Sequence, residues 1–155
     1  MKTALCSDVL KALAGKTLVT AESLTGGGIG ESITAVSGAS SVYKGGIISY
    51  TNAVKHQVLG VPNEVLERFG AVSEQTARAM AQGVRKLLKA DVAVSVTGLA
   101  GPGGDEFGNP VGTVFIGYED DRNLLVKHCL FSGTRQEIRE QTIESALKLI
   151  LEQQR

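Results

Sequence analysis

Apolar residues along the chain fall into two rhythms, one near every third or fourth position and one in short continuous runs. Leu5, Val9, Leu10 and Leu13 recur at helical spacing, and Gly15 follows as a stop signal, so residues 5–14 predict an amphipathic helix. Thr17 to Ala21 is short, apolar and β-branched, which predicts a strand. Thr25-Gly26-Gly27-Gly28 then forces a turn before Ile29, Ile33 and Val36 resume helical spacing. A second strand is expected around Ile47 and Ile48, within residues 42–50 and ending at Tyr50, after a Ser/Gly-rich approach at 37–41. Residues 52–59 read as a helical turn carrying Lys55, Pro62-Asn63 starts a short helix that Gly70 closes, and Ser73 caps a long helix reaching Lys89.

Val92 to Val96 is an unbroken apolar run, the pattern of a strand covered on both faces, and residues 98–112 after it are rich in Gly and Pro. Residues 111–118 and 124–131 flank the turn-forming Glu119-Asp120-Asp121-Arg122-Asn123, which predicts a hairpin and hence a mixed sheet. Thr134 and Glu137 have capping-box spacing and open a last helix with Ile138, Ile143, Leu147, Ile150 and Leu151 on its apolar side. Helices and strands alternate early and the hairpin comes late. The expected fold is therefore α/β, a single layered α/β/α domain over residues 1–155 with a mixed sheet and helices on both faces. A chain of 155 residues is long enough to bury about two-thirds of its unfolded surface around one core.

Composition narrows the partners. Sixteen basic residues balance sixteen acidic ones, so nothing draws the whole chain toward nucleic acid or anionic lipid. Asp8 and Lys11 interrupt the apolar N-terminal stretch and no run of roughly 18 apolar residues follows, so no membrane partner is expected. Cys6 and Cys129 are far apart and suit a reducing, cytoplasmic compartment, each as a small buried hydrophobe. His128 and Cys129 are adjacent on a strand and point to opposite faces, and the ligand groupings of metal sites are missing, so no metal and no cofactor are expected.

Two glycine-rich loops follow strands, where ligands gather in open α/β sheets. The first reads Thr20-Ala21-Glu22-Ser23-Leu24-Thr25-Gly26-Gly27-Gly28, and the helix behind it would aim free N–H groups at whatever sits near Ser23. It is not a dinucleotide fingerprint, since Glu31 stands where a third Gly is needed, and Gly30-Glu31-Ser32 lacks the lysine of a Walker loop. Ala21 and Thr25 replace the glycines of a nucleophile elbow. Taken singly, Ser23 reads as a loop serine, Lys55 as a solvated cation and Tyr50 as a packed aromatic.

The combination is more specific. Ala21-Glu22-Ser23-Leu24-Thr25-Gly26-Gly27, then Gly45-Gly46-Ile47-Ile48-Ser49-Tyr50-Thr51-Asn52 with Lys55 and Leu59-Gly60-Val61, then Val96-Thr97-Gly98-Leu99-Ala100-Gly101-Pro102-Gly103-Gly104 resemble the C-terminal domain of the competence/damage-inducible CinA family over nearly the whole chain. Leu24 stands where many relatives carry cysteine, and 155 residues leave no room for the larger architecture's molybdopterin-binding-like domain. Stand-alone members are similar to nicotinamide-nucleotide amidase, which converts nicotinamide mononucleotide to nicotinate mononucleotide and ammonia. The resemblance implies a serine–lysine site at Ser23 and Lys55 with Tyr50 assisting, a small-molecule substrate, and a homo-oligomer, a dimer being the simplest.

On that expectation Ser23 attacks the carboxamide, a neutral Lys55 takes its proton, and N–H groups around Thr25, Gly26, Gly27 and Gly28 hold the oxyanion. The substrate phosphate would be held by the loop of Gly98, Ala100 and Gly101 or by Arg135, with Asp105, Glu106 and Asn109 as candidates for ribose. Two alternatives stand beside it: a pyridine-nucleotide-binding or regulatory module without turnover, and a Ser23/His56 hydrolase lacking an orienting acid.

Overall fold

The computed structural model describes residues 2–155. Six helices, α1 (Lys2–Ala12), α2 (Gly28–Thr34), α3 (Asn52–Gln57), α4 (Asn63–Phe69), α5 (Glu74–Leu88) and α6 (Arg135–Gln153), accompany five strands. The strands are β1 (Leu18–Glu22), β2 (Tyr43–Ile48), β3 (Val92–Gly98), β4 (Thr113–Glu119) and β5 (Leu124–Leu130), in the order β2-β1-β3-β4-β5. β1 runs parallel to β2 and β3, whereas β3–β4 and β4–β5 are antiparallel, so the sheet is mixed as the hairpin signal requires.

Alternation along the strands distributes side chains between two cores. Leu18, Val92, Val94, Val96, Val114, Ile116 and Tyr118 face α1, α2 and α6, where Val9, Ile33, Ile143, Leu147 and Ile150 are buried. Val19, Ala21 and Ala93 face the other way, onto Leu66 of α4 and Met80 and Val84 of α5. Burying each large aliphatic contributes about 1.5–3 kcal/mol, and the unbroken apolar run of β3 is what a strand packed on both faces needs. α5 lies close to the segment before α4: a Cβ on Gly83 would collide with the Leu59 carbonyl. Cys6 and Cys129 are buried and His128 is exposed, which places the two adjacent side chains on opposite faces.

Several boundaries differ from the periodicity. Residues 39–41 form a short 3-10 turn within the segment read as a plain approach to β2. β2 stops at Ile48, two residues before Tyr50, although the Ser49 N–H still donates to the Glu22 carbonyl at 2.8 Å. Both helix starts with side-chain signals hold, for Ser73 accepts from the Thr76 N–H and Thr134 makes both arms of a capping box with Glu137.

Candidate active site

The parallel strands β2, β1 and β3 end side by side, and the chemistry-bearing residues leave from those carboxyl ends, as in other open α/β sheets. Ser23 is the first residue past β1, and its N–H is fixed by the Val96 carbonyl of β3 at 3.1 Å. Ser49 and Tyr50 follow β2 directly. Thr51 then caps α3 by accepting from the Val54 N–H, and this short helix carries Lys55 back over the strand ends.

Lys55 is 1% exposed, and its Nζ lies 3.0 Å from Ser23 Oγ, 2.8 Å from the Ser49 carbonyl and 3.3 Å from the Tyr50 carbonyl. No ion pair among the described residues involves it. Burial without a carboxylate partner disfavours the ammonium and lowers the Lys55 pKa to about 8. As an ammonium the group donates to all three oxygens. As an amine it keeps two N–H bonds to the carbonyls and turns its lone pair to the Ser23 hydroxyl. The site thus holds a hydroxyl and an amine at bonding distance, with the amine losing its charge around pH 8.

Ser23 and Lys55 border a cavity of about 330 Å³ whose walls include Tyr50, Gly98, Ala100, Gly101 and Arg135. Arg135, in the first turn of α6, spans its mouth: Nη1 donates to the Gly101 carbonyl at 2.6 Å and Nη2 to the Tyr50 hydroxyl at 3.2 Å. A larger cavity, about 850 Å³, lies between the α3–α4 link and α5, lined by residues such as Leu59, Val65 and Leu87, and contains neither Ser23 nor Lys55.

Other expected members are placed differently. The Tyr50 ring projects outward, 59% exposed, and its hydroxyl meets Arg135 while only its carbonyl meets Lys55, because β2 has already ended and the backbone turns inward. Thr25, Gly26 and Gly27 border a neighbouring cavity of about 280 Å³ beside Arg139 and Glu140. The N–H groups of Gly26 and Gly28 close turns on the Ser23 and Thr25 carbonyls and so are already engaged. Asp105 and Asn109 bond within their own loop, Asn109 also to the Val72 carbonyl, and Glu106 borders a separate cavity with His56. His56 is exposed and bonds the Val61 carbonyl and Asn63, so the Ser23/His56 arrangement is not formed.

The helix start at α2 is not free either. Gly27 supplies its N-cap in a left-handed conformation, φ 100°, which a side chain would strain. The Ile29 and Gly30 N–H groups donate to the buried Glu22 carboxylate at 2.8 and 3.0 Å, and the Thr25 hydroxyl adds a bond of 2.6 Å. Glu22 therefore pins the loop from beneath, a function suggested only by strand alternation, which turns Glu22 away from the side of Ser23. Arg139 pins it from above, with Nε on the Leu24 carbonyl at 2.9 Å and Nη2 on the Thr25 carbonyl at 3.2 Å. Its spacing of four from Arg135 on α6 puts the two guanidiniums on one helix face, a signal present in the sequence. Among the described residues no group of three or more His, Cys, Asp or Glu side chains could hold a metal ion.

A family model described as the CinA C-terminal domain matches residues 2–154. A Bacillus mycoides protein described as competence-damage inducible is 54% identical over 129 residues, 83% of this chain and 31% of that protein. A CinA-like protein from Synechococcus is 57% identical over 114 residues, 72% of this chain and 27% of its own length. The chain thus spans about a third of the length of the curated relatives it matches. Among solved structures, the competence/damage inducible protein CihA from Agrobacterium tumefaciens superposes with a TM-score of 0.96 at 37% identity, over 99% of this chain and 96% of that one. A CinA superfamily protein from Klebsiella pneumoniae gives 0.96 at 31% identity, over 99% and 98%.

Proposed function

The chain belongs to the CinA C-terminal domain family, and on that premise we propose that it is a serine–lysine amidohydrolase that releases ammonia from nicotinamide mononucleotide. The observation that carries the reading is the buried, unpaired Lys55 amine 3.0 Å from Ser23 Oγ. A lysine held without a counter-charge costs stability, and that cost has a chemical use when the neutral amine serves as a base. The choice of substrate rests on the sequence resemblance, and the guanidinium of Arg135 at the cavity mouth suits its phosphate.

The steps follow from the parts. Ser23 Oγ bonds to the carboxamide carbon as its proton passes to Lys55 Nζ, and the carbonyl oxygen becomes an oxyanion. The Thr25 N–H, which no group of the described chain accepts, is the donor proposed for that oxyanion. Lys55 then protonates the amide nitrogen, the C–N bond breaks and ammonia leaves an ester on Ser23. Water attacks the ester while Lys55 takes its proton, the C–O bond to Ser23 breaks, and Lys55 returns the proton to Ser23 Oγ. Lys55 is neutral again and the acid departs. Arg135 holds the phosphate, and the Tyr50 hydroxyl steadies Arg135 in place of relaying a proton.

The test is ammonia release from the purified chain given nicotinamide mononucleotide, alongside Ser23→Ala. Turnover by the native chain and none by the variant, both folded, is expected. Unchanged turnover in Ser23→Ala removes Ser23 from the chemistry. Tight binding of the nucleotide without ammonia release would establish a binding module instead.

A further inference from the structure

Residues 24–25 form the wall between two cavities. Ser23 and Leu24 border the one that holds the Lys55 amine, while Thr25 and Arg139 border the other. Arg139 reaches this wall from α6, 115 residues away from Leu24, and sets one edge of its guanidinium on consecutive carbonyls, Nε to Leu24 and Nη2 to Thr25. Nη1 is held at 2.9 Å by the Gln136 side chain one turn earlier, which fixes the plane of the fork.

A trans peptide is planar, so a carbonyl pulled one way turns the N–H of the same unit the opposite way. The Leu24 carbonyl and the Thr25 N–H are one such unit. With the oxygen drawn to Arg139, that N–H points away from the Arg139 guanidinium. Around it the Ser23 N–H is taken by Val96 and the Gly26 N–H closes back on the Ser23 carbonyl, while the Leu24 N–H, like that of Thr25, has no acceptor in the described chain. A cation on the carbonyl oxygen also draws electron density from the amide, which makes its N–H a stronger donor.

We infer that Arg139 is a positioning residue for the acyl-transfer step: by clamping the Leu24 and Thr25 carbonyls it aims and polarises the Thr25 N–H toward the oxyanion that forms beside Ser23. This rests on the serine–lysine reading above and deepens it. Arg139 touches no reacting atom and binds no substrate group, which separates it from Arg135 on the same helix face. The oxyanion exists only after attack, so the contribution of Arg139 belongs to the transition state and not to ground-state binding.

The experiment compares the native chain with Arg139→Gln and Arg139→Lys, using two probes besides turnover. One is the 3-pyridineboronic acid analogue of the nucleotide, which becomes tetrahedral on Ser23. The other is nicotinate mononucleotide, which stays planar. For Arg139→Gln, kcat should fall by about 10-fold or more, given the 10²–10³-fold loss when an oxyanion donor is removed outright, with KM little changed. Boronate affinity should fall in parallel while product affinity stays within about 2-fold. Arg139→Lys, able to reach one carbonyl, should recover part of the loss, and it carries the test if the glutamine variant does not fold. Native kcat and boronate affinity in a folded Arg139→Gln would overturn the inference, as would equal weakening of both ligands, the mark of a merely structural clamp. A native chain that neither releases ammonia nor captures the boronate overturns the underlying serine–lysine reading. An active native chain with an indifferent Arg139 overturns only this one.

Discussion

Ser23 and Lys55 meet at 3.0 Å although 32 positions separate them, and the meeting takes place with Lys55 almost fully out of solvent. Two carbonyls past the end of β2 hold the amine from behind, so its free face is the one turned to the serine.

Lys55→Met removes the amine and keeps much of the bulk. If the amine is the base, kcat falls by at least ~10²-fold with little change in KM. Lys55→Arg fails similarly, because a guanidinium stays protonated. Steady-state ammonia assays of the two variants check this. An active Lys55→Arg with native pH dependence would exclude the base role.

The pH profile has a definite sign. The base must be neutral, and burial brings the Lys55 pKa down to about 8, so kcat/KM should rise through about pH 8 and level off above it. Stability moves the same way. The folded pKa lies below the unfolded value, so between about pH 8 and 10.5 the unfolded chain binds the extra proton and the folded state gains as pH rises. At ~1.4 kcal/mol per unit the gain is on the order of 3 kcal/mol. Urea melts at pH 7.5 and 10 should show it in the native chain and lack it in Lys55→Met.

Arg135→Ala should weaken the phosphorylated substrate alone. KM for nicotinamide mononucleotide is expected to rise by about 10-fold or more, the scale of one charged hydrogen-bonding partner, while slow hydrolysis of the unphosphorylated riboside is unchanged. Tyr50→Phe, which removes the hydroxyl that Arg135 reaches, should give a smaller shift of the same kind. Parallel loss on both substrates would place Arg135 elsewhere in the mechanism.

Glu22→Ala tests the anchor of the loop. It leaves the Ile29 and Gly30 N–H groups without their acceptor in a buried site. At roughly 1–3 kcal/mol for each unsatisfied group, the melting temperature should fall by about 5–15 °C. Thermal melts followed by circular dichroism measure it, and a shift under 2 °C would mean that α2 finds another cap.

Chelation should leave turnover intact, since the proposed steps use Ser23, Lys55, the Thr25 N–H and the Arg135 guanidinium and no metal ion. Activity lost after dialysis against a strong chelator and restored by one divalent ion would contradict the mechanism.

Local pattern carried the architecture. The spacing of Ile138, Ile143, Leu147 and Ile150, the apolar run of β3 and the Thr134–Glu137 box each dictate an element because helix periodicity, two-sided burial and capping act within a few residues. Ser23 and Lys55 were legible as a pair only through the family pattern, since neither residue type at its position is unusual alone. Tertiary structure decided the rest. The order β2-β1-β3 sets Ser23 beside the end of β2, which is what brings Lys55 to it and buries the amine. The end of β2 at Ile48, and not at Tyr50, turns the Tyr50 carbonyl inward and its hydroxyl out to Arg135. Glu22 and Arg139, which hold the serine loop from its two sides, and the placing of Gly26 and Gly27 on a second cavity, depend on side chains meeting from elements far apart in the chain. A sequence records the periodicity of each element, but a lysine's burial and the direction of an N–H are properties of strand order and packing, which arise only when the layers close.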